Sequence, residues 1–351
     1  MTDLVPVTVL TGYLGAGKTT LLNRILTENH GKKYAVIVNE FGEVGIDNDL
    51  VVDADEEVFE MNNGCVCCTV RGDLIRILTG LMRRKGGFDA IIVETTGLAD
   101  PGPVAQTFFV DEEVRARTRL DSVTTVVDAK HVLLRLSDSR EAREQIAFAD
   151  QIVLNKTDLV SADDLRMVEA RLRRLNPLAP IHRAQRSNVP LDAILGRGSF
   201  DLDRIVTLEP DFLNPAHGEP GHVHDEHCEH DHGHDHDHGH GHDHAHHDHV
   251  HDDDIKGVAL TLQKPLDGAK ITRWLNDILQ TQGPDILRAK GIMDVAGDDR
   301  RLVFQAVHMI LEGDFQRPWK ADEARYSRLV FIGRNLDEAA LRAGFEACAA
   351  A

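Results

Sequence analysis

The sequence predicts an α/β fold in which a mostly parallel sheet forms the first domain and a small α+β domain follows. Short apolar runs alternate with amphipathic stretches through the first half of the chain, a His-rich segment interrupts them, and a different order of elements follows. Alternating strands and helices usually form a parallel sheet that helices cover. We therefore divide the chain into residues 1–204, 205–255 and 256–351.

The first domain takes its strands from apolar runs that are rich in Val and Ile. Runs that are apolar on both faces are expected of parallel strands between two layers of helices. They cover residues 5–11, 34–39, 89–95, 123–129 and 151–156. Helical patterns lie between them, over residues 18–29, 69–84, 141–148 and 161–175. Pro177 ends the last helix, because proline disfavours helical backbone in the residue before it.

The segment between the two domains consists mainly of His, Asp and Gly. Sixteen His lie between His217 and His251, and residues 217–254 hold twelve acidic residues and no Lys or Arg. So few apolar residues cannot form a core, and the composition predicts a disordered linker. The His side chains are either simply part of a soluble tether or a buffer for Zn²⁺, Co²⁺ or Ni²⁺, which neutral imidazole binds.

The last domain shows strands and helices in a different order. Strand patterns cover residues 256–262, 286–295, 301–313 and 327–333, and helical patterns cover 271–279 and 336–349. Consecutive strands without intervening helices predict an antiparallel sheet in an α+β domain.

Composition excludes several classes of partner. The formal net charge is −19, and an acidic surface repels the phosphate backbone of nucleic acids. The first residues contain no basic region before an apolar run, and no apolar run approaches the roughly 18 residues of a membrane span. We expect a cytoplasmic protein with no nucleic-acid or membrane partner; a homo-oligomer remains possible from sequence.

The segment GYLGAGKT matches the phosphate-binding pattern G-x-x-x-x-G-K-[ST] and lies between a predicted strand and a predicted helix. Lys18 would reach the β- and γ-phosphates, and the Thr19 hydroxyl would ligate Mg²⁺. The alternative is a tight strand–helix turn. Backbone amides at the helix N-terminus would hold a phosphate; the segment supplies them from Gly12, Gly15, Ala16 and Gly17.

The segment NKTD ends another predicted strand and resembles the base-reading element of GTPases. Asp158 would accept from the guanine N1–H and exocyclic amine, for which adenine offers no matching donor pair. Asn155 would bond the base edge and the Lys156 stem would lie on the base. The alternative is a strand-end turn with a helix-capping Asp.

The segment ETTG ends the strand at 89–95. At this place P-loop proteins carry an acidic group that holds Mg²⁺ through water and a Gly whose amide meets the γ-phosphate. Glu94 and Gly97 are the candidates, and the alternative is a solvated strand-end carboxylate. No residue stands out as the one that orients the hydrolytic water, so we expect slow intrinsic hydrolysis.

Three of the five cysteines fall within four positions, at Cys65, Cys67 and Cys68. Thiolates suit Zn²⁺, Co²⁺ or Cu(I), and cytoplasmic thiols stay reduced. A structural zinc site usually takes ligands from two separated knuckles, and this loop has no second one. The fourth ligand would be a carboxylate such as Glu40, a histidine, water or a partner. The alternatives are buried apolar cysteines or a redox pair.

Taken in order, GYLGAGKTTLLN, NEFGEVGID, GCVCCTVRGDL, ETTGLADP and NKTD resemble the CobW / nitrile-hydratase-activator family of P-loop GTPases. GDFQRPW and SRLVFIGR resemble its C-terminal domain. The resemblance implies a P-loop GTPase domain and a metal chaperone that handles zinc, cobalt or iron. It implies that Gly12–Thr20, Asn155, Lys156 and Asp158 bind GTP, and that the cysteines bind the transferred metal.

The resulting hypothesis is a GTP-hydrolysing metallochaperone whose cysteine site depends on GTP and Mg²⁺. It would carry zinc or cobalt to a client metalloprotein or a metal-requiring biosynthetic enzyme, such as one of cobalamin synthesis. A metal store based on the His-rich linker is one alternative. A phosphotransferase is another, although it leaves NKTD and the cysteines unexplained.

Overall fold

A computed structural model describes residues 4–28, 31–39, 57–61, 67–83, 88–200, 255–320 and 323–350. Of the predicted features, Glu40, Cys65 and the His-rich linker up to residue 254 lie outside these residues. For Cys67 and Cys68 the structure describes the backbone. No helix within the described ranges is long and apolar enough to cross a membrane.

The described part of the first domain contains a seven-stranded sheet in which every neighbouring pair is parallel. Its strand order is β3-β2-β4-β1-β5-β6-β7. The strands are β1 Val5–Thr11, β2 Tyr34–Asn39, β3 Glu57–Met61, β4 Ala90–Glu94, β5 Thr118–Asp128, β6 Gln151–Asn155 and β7 Ile181–Arg183.

Helices cover both faces of this sheet. In chain order they are α1 Lys18–Thr27, α2 Cys67–Met82, α3 Gly102–Val110, α4 Glu112–Arg115, α5 Val132–Asp138, α6 Arg140–Phe148 and α7 Ala162–Leu175. Strand side chains alternate between the faces. Leu10 therefore packs with α1, whereas Val7 and Val9 pack with helices of the other face, such as α2 and α6.

The predicted strands of this domain are confirmed within a few residues, and two edge strands were missed. β3 has the sequence EVFEM, in which two glutamates break the apolar run. β7 is only three residues long. Helices α3, α4 and α5 were also missed, because α3 begins with Gly102-Pro103 and the other two are one or two turns long.

The second domain is a five-stranded antiparallel sheet with strand order β11-β10-β9-β12-β8. Its elements are β8 Ile255–Leu262, α8 Gly268–Gln282, β9 Ile286–Asp294, β10 Arg300–Val307, β11 Ile310–Pro318, β12 Ser327–Arg334 and α9 Glu338–Glu346. The prediction of one strand over 301–313 is wrong. The chain turns at His308, whose φ of 51° is left-handed, and returns as β11.

The second sheet joins the two domains through one of its faces. Phe331 and neighbouring side chains pack with α8 and α9, whereas Val330 and Ile332 belong to the core of the first domain. Within this interface the buried carboxylate of Asp150 accepts hydrogen bonds from Arg288 and Lys290. Burial opposes ionisation of Asp150, but the two cations outweigh it and hold its pKa below the ordinary value.

Candidate nucleotide site

The predicted motifs meet at one edge of the first sheet. β1 lies between β4 and β5, and β6 follows β5. The register pairs Leu10 with Glu94, and Asp128 with Asn155. The carboxyl ends of parallel strands share one edge, and ligands of α/β proteins bind there. The glycine-rich loop, ETTG and NKTD therefore line a common site.

The glycine-rich loop runs directly from β1 into α1. Gly17 caps α1 with a left-handed φ of 111°. A Cβ on Gly17 would lie 2.5 Å from the side-chain Nδ2 of Asn155, so both the backbone conformation and the available space require glycine here. The helix N-terminus that follows combines N–H groups that have no acceptor within the helix with the positive end of the helix dipole. This arrangement suits a phosphate.

The first three side chains of α1 differ in burial. Lys18 is 9% exposed, and its Nζ donates a hydrogen bond of 2.8 Å to the carbonyl of Gly12. The ammonium therefore lies over the loop whose amides would hold the phosphates. Thr19 is half-buried and Thr20 is exposed, both in the first turn of α1.

Asn155 connects the glycine-rich loop to a second loop. Its Nδ2 donates to the carbonyl of Ala16 at 2.9 Å and to Ser187 Oγ at 3.2 Å, and its Oδ1 accepts from the Ser187 amide at 2.8 Å. The residue is 2% exposed. The Asn155 side-chain amide therefore joins the glycine-rich loop to the loop that contains Ser187. The sequence predicted a different role for it, a hydrogen bond to the edge of the base.

The next residues of NKTD differ in exposure, since Lys156 is half-buried against the glycine-rich loop and Asp158 is exposed. Lys156 has a left-handed φ of 61°, and its Nζ donates to the carbonyl of Gly15 at 2.8 Å. Its alkyl stem thus runs along the glycine-rich loop, where the predicted base contact would form. Asp158 lies in a short 3₁₀ turn, and its carboxylate is exposed. Asn155, Lys156 and Asp158 are brought together beside the loop.

The family resemblance implies a base-proximal element near residues 184–188 without defining its contacts, and the role of Ser187 in this site was missed. Arg186 and Ser187 are consecutive left-handed residues, with φ of 52° and 56°. Ser187 is fully buried, its Oγ donates to the carbonyl of Gly17 at 3.0 Å, and Arg24 donates to its carbonyl. The segment AQRSN contains no glycine, so nothing in the sequence signals two left-handed residues there.

Glu94 and Gly97 lie on the other side of the glycine-rich loop. Glu94 ends β4 and is 7% exposed. Thr95 donates to Thr11 Oγ1 at 2.8 Å, which joins the ends of β4 and β1. An added Cβ on Gly97 would lie 2.7 Å from the Leu14 amide nitrogen, so the turn after β4 touches the loop. The structure thus brings ETTG against GYLGAGKT.

A cavity of about 360 Å³ lies beneath the loop, on the side of α5 and α6. Leu14, Val127 and Ile146 give it a largely apolar lining. Arg135 and Lys156 also line it, whereas the first residues of α1 do not. The backbone amides at the N-terminus of α1 are the donors that suit a phosphate, which favours the predicted phosphate site over this cavity.

The sequence also matches two family models. Residues 6–183 match the model described as "CobW/HypB/UreG, nucleotide-binding domain". Residues 255–349 match the model described as "Cobalamin synthesis protein cobW C-terminal domain". This chain belongs to the CobW/HypB/UreG family. The family resemblance expected from the motifs is therefore confirmed.

Some relatives of this family member match it along nearly its whole length. It is 35% identical to the zinc chaperone YjiA of Escherichia coli (strain K12), over 97% of this chain and 98% of YjiA. It is 34% identical to the zinc chaperone CobW of Sinorhizobium sp, over 98% of this chain and 97% of that protein. The crystal structure of Zn(II)-bound YjiA GTPase from E. coli matches with a TM-score of 0.73 and 30% identity, over 99% of this chain and 100% of YjiA. The predicted fold class is confirmed.

The predicted metal ligands of this CobW-family chain lie mostly outside the described residues. α2 begins at Cys67, which agrees with a cysteine segment at a helix N-terminus. Within the described ranges no group of three His, Cys, Asp or Glu side chains could hold a metal ion. Cys348 is buried near the C-terminus, and burial raises the pKa of its thiol, which makes it a poor ligand.

Proposed function

We propose that this protein is a zinc metallochaperone that uses GTP to control a cysteine metal site. The observation that carries the nucleotide part is the bonding of Asn155 to Ala16 and Ser187, which joins NKTD to the phosphate loop. The protein is a P-loop GTPase, as its family and the YjiA GTPase structure indicate. We retain the division at 1–204, 205–255 and 256–351 and a cytoplasmic location as parts of the proposal.

Guanine selection is assigned to Asp158. Its carboxylate is exposed in the short 3₁₀ turn that follows Lys156, and a carboxylate accepts two parallel hydrogen bonds from the guanine edge. Because Asn155 is already bonded to both loops, it would hold the pocket in shape while Asp158 reads the base. Gly12, Gly15, Ala16, Gly17, Lys18, Thr19 and Thr20 would bind the phosphates.

The residues around the phosphate loop suit Mg²⁺. The Thr19 hydroxyl and the Glu94 carboxylate are hard oxygen donors, which Mg²⁺ prefers to nitrogen or sulfur. Thr19 would hold the ion directly and Glu94 through water. When bound, Mg²⁺ neutralises charge that develops on the phosphates. Lys18, already held over the loop, would add a second positive charge there.

The cargo site is assigned to Cys65, Cys67 and Cys68, with Glu40 as the fourth ligand. Two relatives are named zinc chaperones, which supports zinc, and thiolate ligands would also accept cobalt. Cys67 and Cys68 begin α2 and Cys65 precedes it, and a helix N-terminus favours thiolate over thiol. Zinc would pass to a client metalloprotein or a metal-requiring biosynthetic enzyme that docks on the C-terminal domain.

Zinc affinity in two nucleotide states tests the proposal. Zn²⁺ is titrated against a competing chelator, with protein loaded with a non-hydrolysable GTP analogue or with GDP. We expect tighter binding with the analogue, and by reciprocity tighter analogue binding with Zn²⁺. Equal affinities in both states would exclude the switch.

Control variants separate this site from other zinc sites. A Zn(II)-bound structure exists of YjiA with one glutamate and two cysteines replaced by alanine, so zinc binding alone does not locate a cargo site. We expect Cys67→Ser to remove the nucleotide-dependent zinc. Deletion of residues 217–251 should remove only the Zn²⁺ ions that bind with lower affinity. If the deletion removes the nucleotide-dependent zinc instead, the protein is a metal store based on its His-rich segment.

A further inference from the structure

The turn after β4 is held by one buried side chain of α6. Gln145 Nε2 donates to the carbonyls of Gly97 and Ala99, each at 3.1 Å. Gln145 is 1% exposed, and its backbone carbonyl accepts a hydrogen bond of 2.8 Å from the Thr125 hydroxyl. The amide group therefore fixes the path of the chain at the residue assigned to the γ-phosphate.

The neighbouring residue on α6 binds the C-terminal domain. Glu144 is 4% exposed and its Oε1 forms ion pairs with Arg334, at the end of β12, and with Arg140 of its own helix. Arg334 also donates to the carbonyl of Pro284 at 3.2 Å, within the C-terminal domain. One turn of α6 thus holds the β4 turn through Gln145 and the second domain through Glu144.

A second contact links the same turn to the C-terminal domain. His308, in the turn between β10 and β11, lies over Gly102 and packs against Phe148, with ring centroids 5.1 Å apart. The Gly102 amide donates to Asp100 Oδ1 at 2.8 Å. The segment from Gly97 to Gly102 is therefore bounded by α6 at one end and by the C-terminal domain at the other.

We propose that Gln145 is a positioning residue for GTP hydrolysis, and that the C-terminal domain adjusts its position through the Arg334–Glu144 pair. The inference rests on the proposed function, because it requires GTP at the phosphate loop and the Gly97 amide, predicted from ETTG, at the γ-phosphate. A shift of α6 relative to the sheet would move the Gly97 and Ala99 carbonyls with it. Any partner that displaces the C-terminal domain would alter GTP affinity, and GTP would alter the affinity of that partner by the same factor.

The full-length protein with three single substitutions tests this inference. Gln145→Leu removes both hydrogen bonds to the turn, so we expect kcat and affinity for a non-hydrolysable GTP analogue to fall about tenfold. GDP has no γ-phosphate, and its affinity should stay within about twofold of wild type. Arg334→Ala should lower analogue affinity about threefold in the same direction. Arg140→Ala is the matched control, because it removes the exposed partner of Glu144 within the first domain.

The outcomes separate the inference from the proposed function. Wild-type protein that does not hydrolyse GTP contradicts the proposed function. Wild-type hydrolysis together with unchanged analogue-to-GDP affinity ratios in Gln145→Leu and Arg334→Ala contradicts the inference alone. Equal changes in Arg334→Ala and Arg140→Ala also overturn it. Thermal unfolding identifies a misfolded Gln145→Leu protein, and then the Arg334 and Arg140 comparison decides, with Arg334→Lys expected to restore the wild-type ratio.

Discussion

Asp128 and Lys156 form an ion pair of 2.7 Å between the ends of the adjacent strands β5 and β6. The same carboxylate accepts from His131 Nδ1 at 2.9 Å, and the same ammonium donates to the carbonyl of Gly15. Burial opposes ionisation of Asp128, but hydrogen bonds from His131 and Lys156 outweigh it and lower its pKa. The pair holds the Lys156 stem along the phosphate loop, where it would support the guanine base.

Substitution of Asp128 should weaken guanine nucleotide binding more than catalysis. Asp128→Asn replaces the charged acceptor, so Lys156 loses an ionic partner and moves more freely. A charge-assisted hydrogen bond at a partly exposed site contributes roughly 1 kcal/mol, which predicts about five- to tenfold weaker GTP and GDP binding. Steady-state kinetics should show a higher KM with little change in kcat.

A double-mutant cycle distinguishes this role from a general loss of stability. In a Lys156→Ala background, Asp128→Asn should have little further effect on nucleotide affinity, because its partner is already absent. Additive losses would contradict the assignment. His131→Asn is the control, because it changes the exposed partner of the Asp128 carboxylate and leaves Lys156 in place. It should change nucleotide affinity by less than twofold, roughly the size expected of an exposed contact.

Alanine at Gly17 should abolish nucleotide binding without unfolding the protein. The left-handed backbone at this position disfavours any Cβ, and the added methyl would meet Asn155 and Ser187, which hold the base loops. Strain of this kind costs about 1–3 kcal/mol, which a large domain tolerates. Fluorescent-nucleotide titration should detect no binding, whereas circular dichroism should match wild type. Retained binding would exclude the assignment of the loop.

The buried pair between Asp150 and Arg288 should make domain association sensitive to acid. The pKa of Asp150 in the folded protein lies below the ordinary value of an aspartate. The ionised carboxylate therefore contributes fully to the free energy of unfolding above that ordinary value, and the contribution is lost as pH falls through the folded pKa. At neutral pH, Asp150→Asn removes the buried negative charge that Arg288 and Lys290 share and should cost about 3–5 kcal/mol of unfolding free energy. Urea unfolding should show that this difference narrows below about pH 4. A difference independent of pH would contradict the assignment.

Sequence patterns located the main parts of the fold and of the site because those parts rely on local chemistry. The runs at Val5–Thr11 and Tyr34–Asn39 coincide with β1 and β2, since fully buried strands require continuous apolar residues. Asp128, at which β5 ends, was not identified from the sequence, because the predicted strand continued to residue 129. No sequence pattern identified Gln145, because its role depends on backbone carbonyls about fifty residues away in the chain. The β10–β11 turn was missed because His308, a residue with a side chain, adopts the left-handed backbone usually taken by glycine.

Asparagine at Asp158 should change the preferred base from guanine to xanthine. The exposed carboxylate offers two acceptors, which match the N1–H and exocyclic amine of guanine. An amide offers one donor in place of one acceptor, and xanthine carries a carbonyl where guanine carries the amine. We expect GTP hydrolysis at subsaturating substrate to fall at least 100-fold, because two hydrogen bonds to a charged acceptor, each contributing roughly 1.5–3 kcal/mol, are weakened or lost, and we expect XTP hydrolysis to rise. Parallel kcat/KM measurements with both nucleotides check this result. Equal losses for GTP and XTP would mean that Asp158 shapes the loop without reading the base, and Asp158→Ala, which can bond neither edge, provides the baseline.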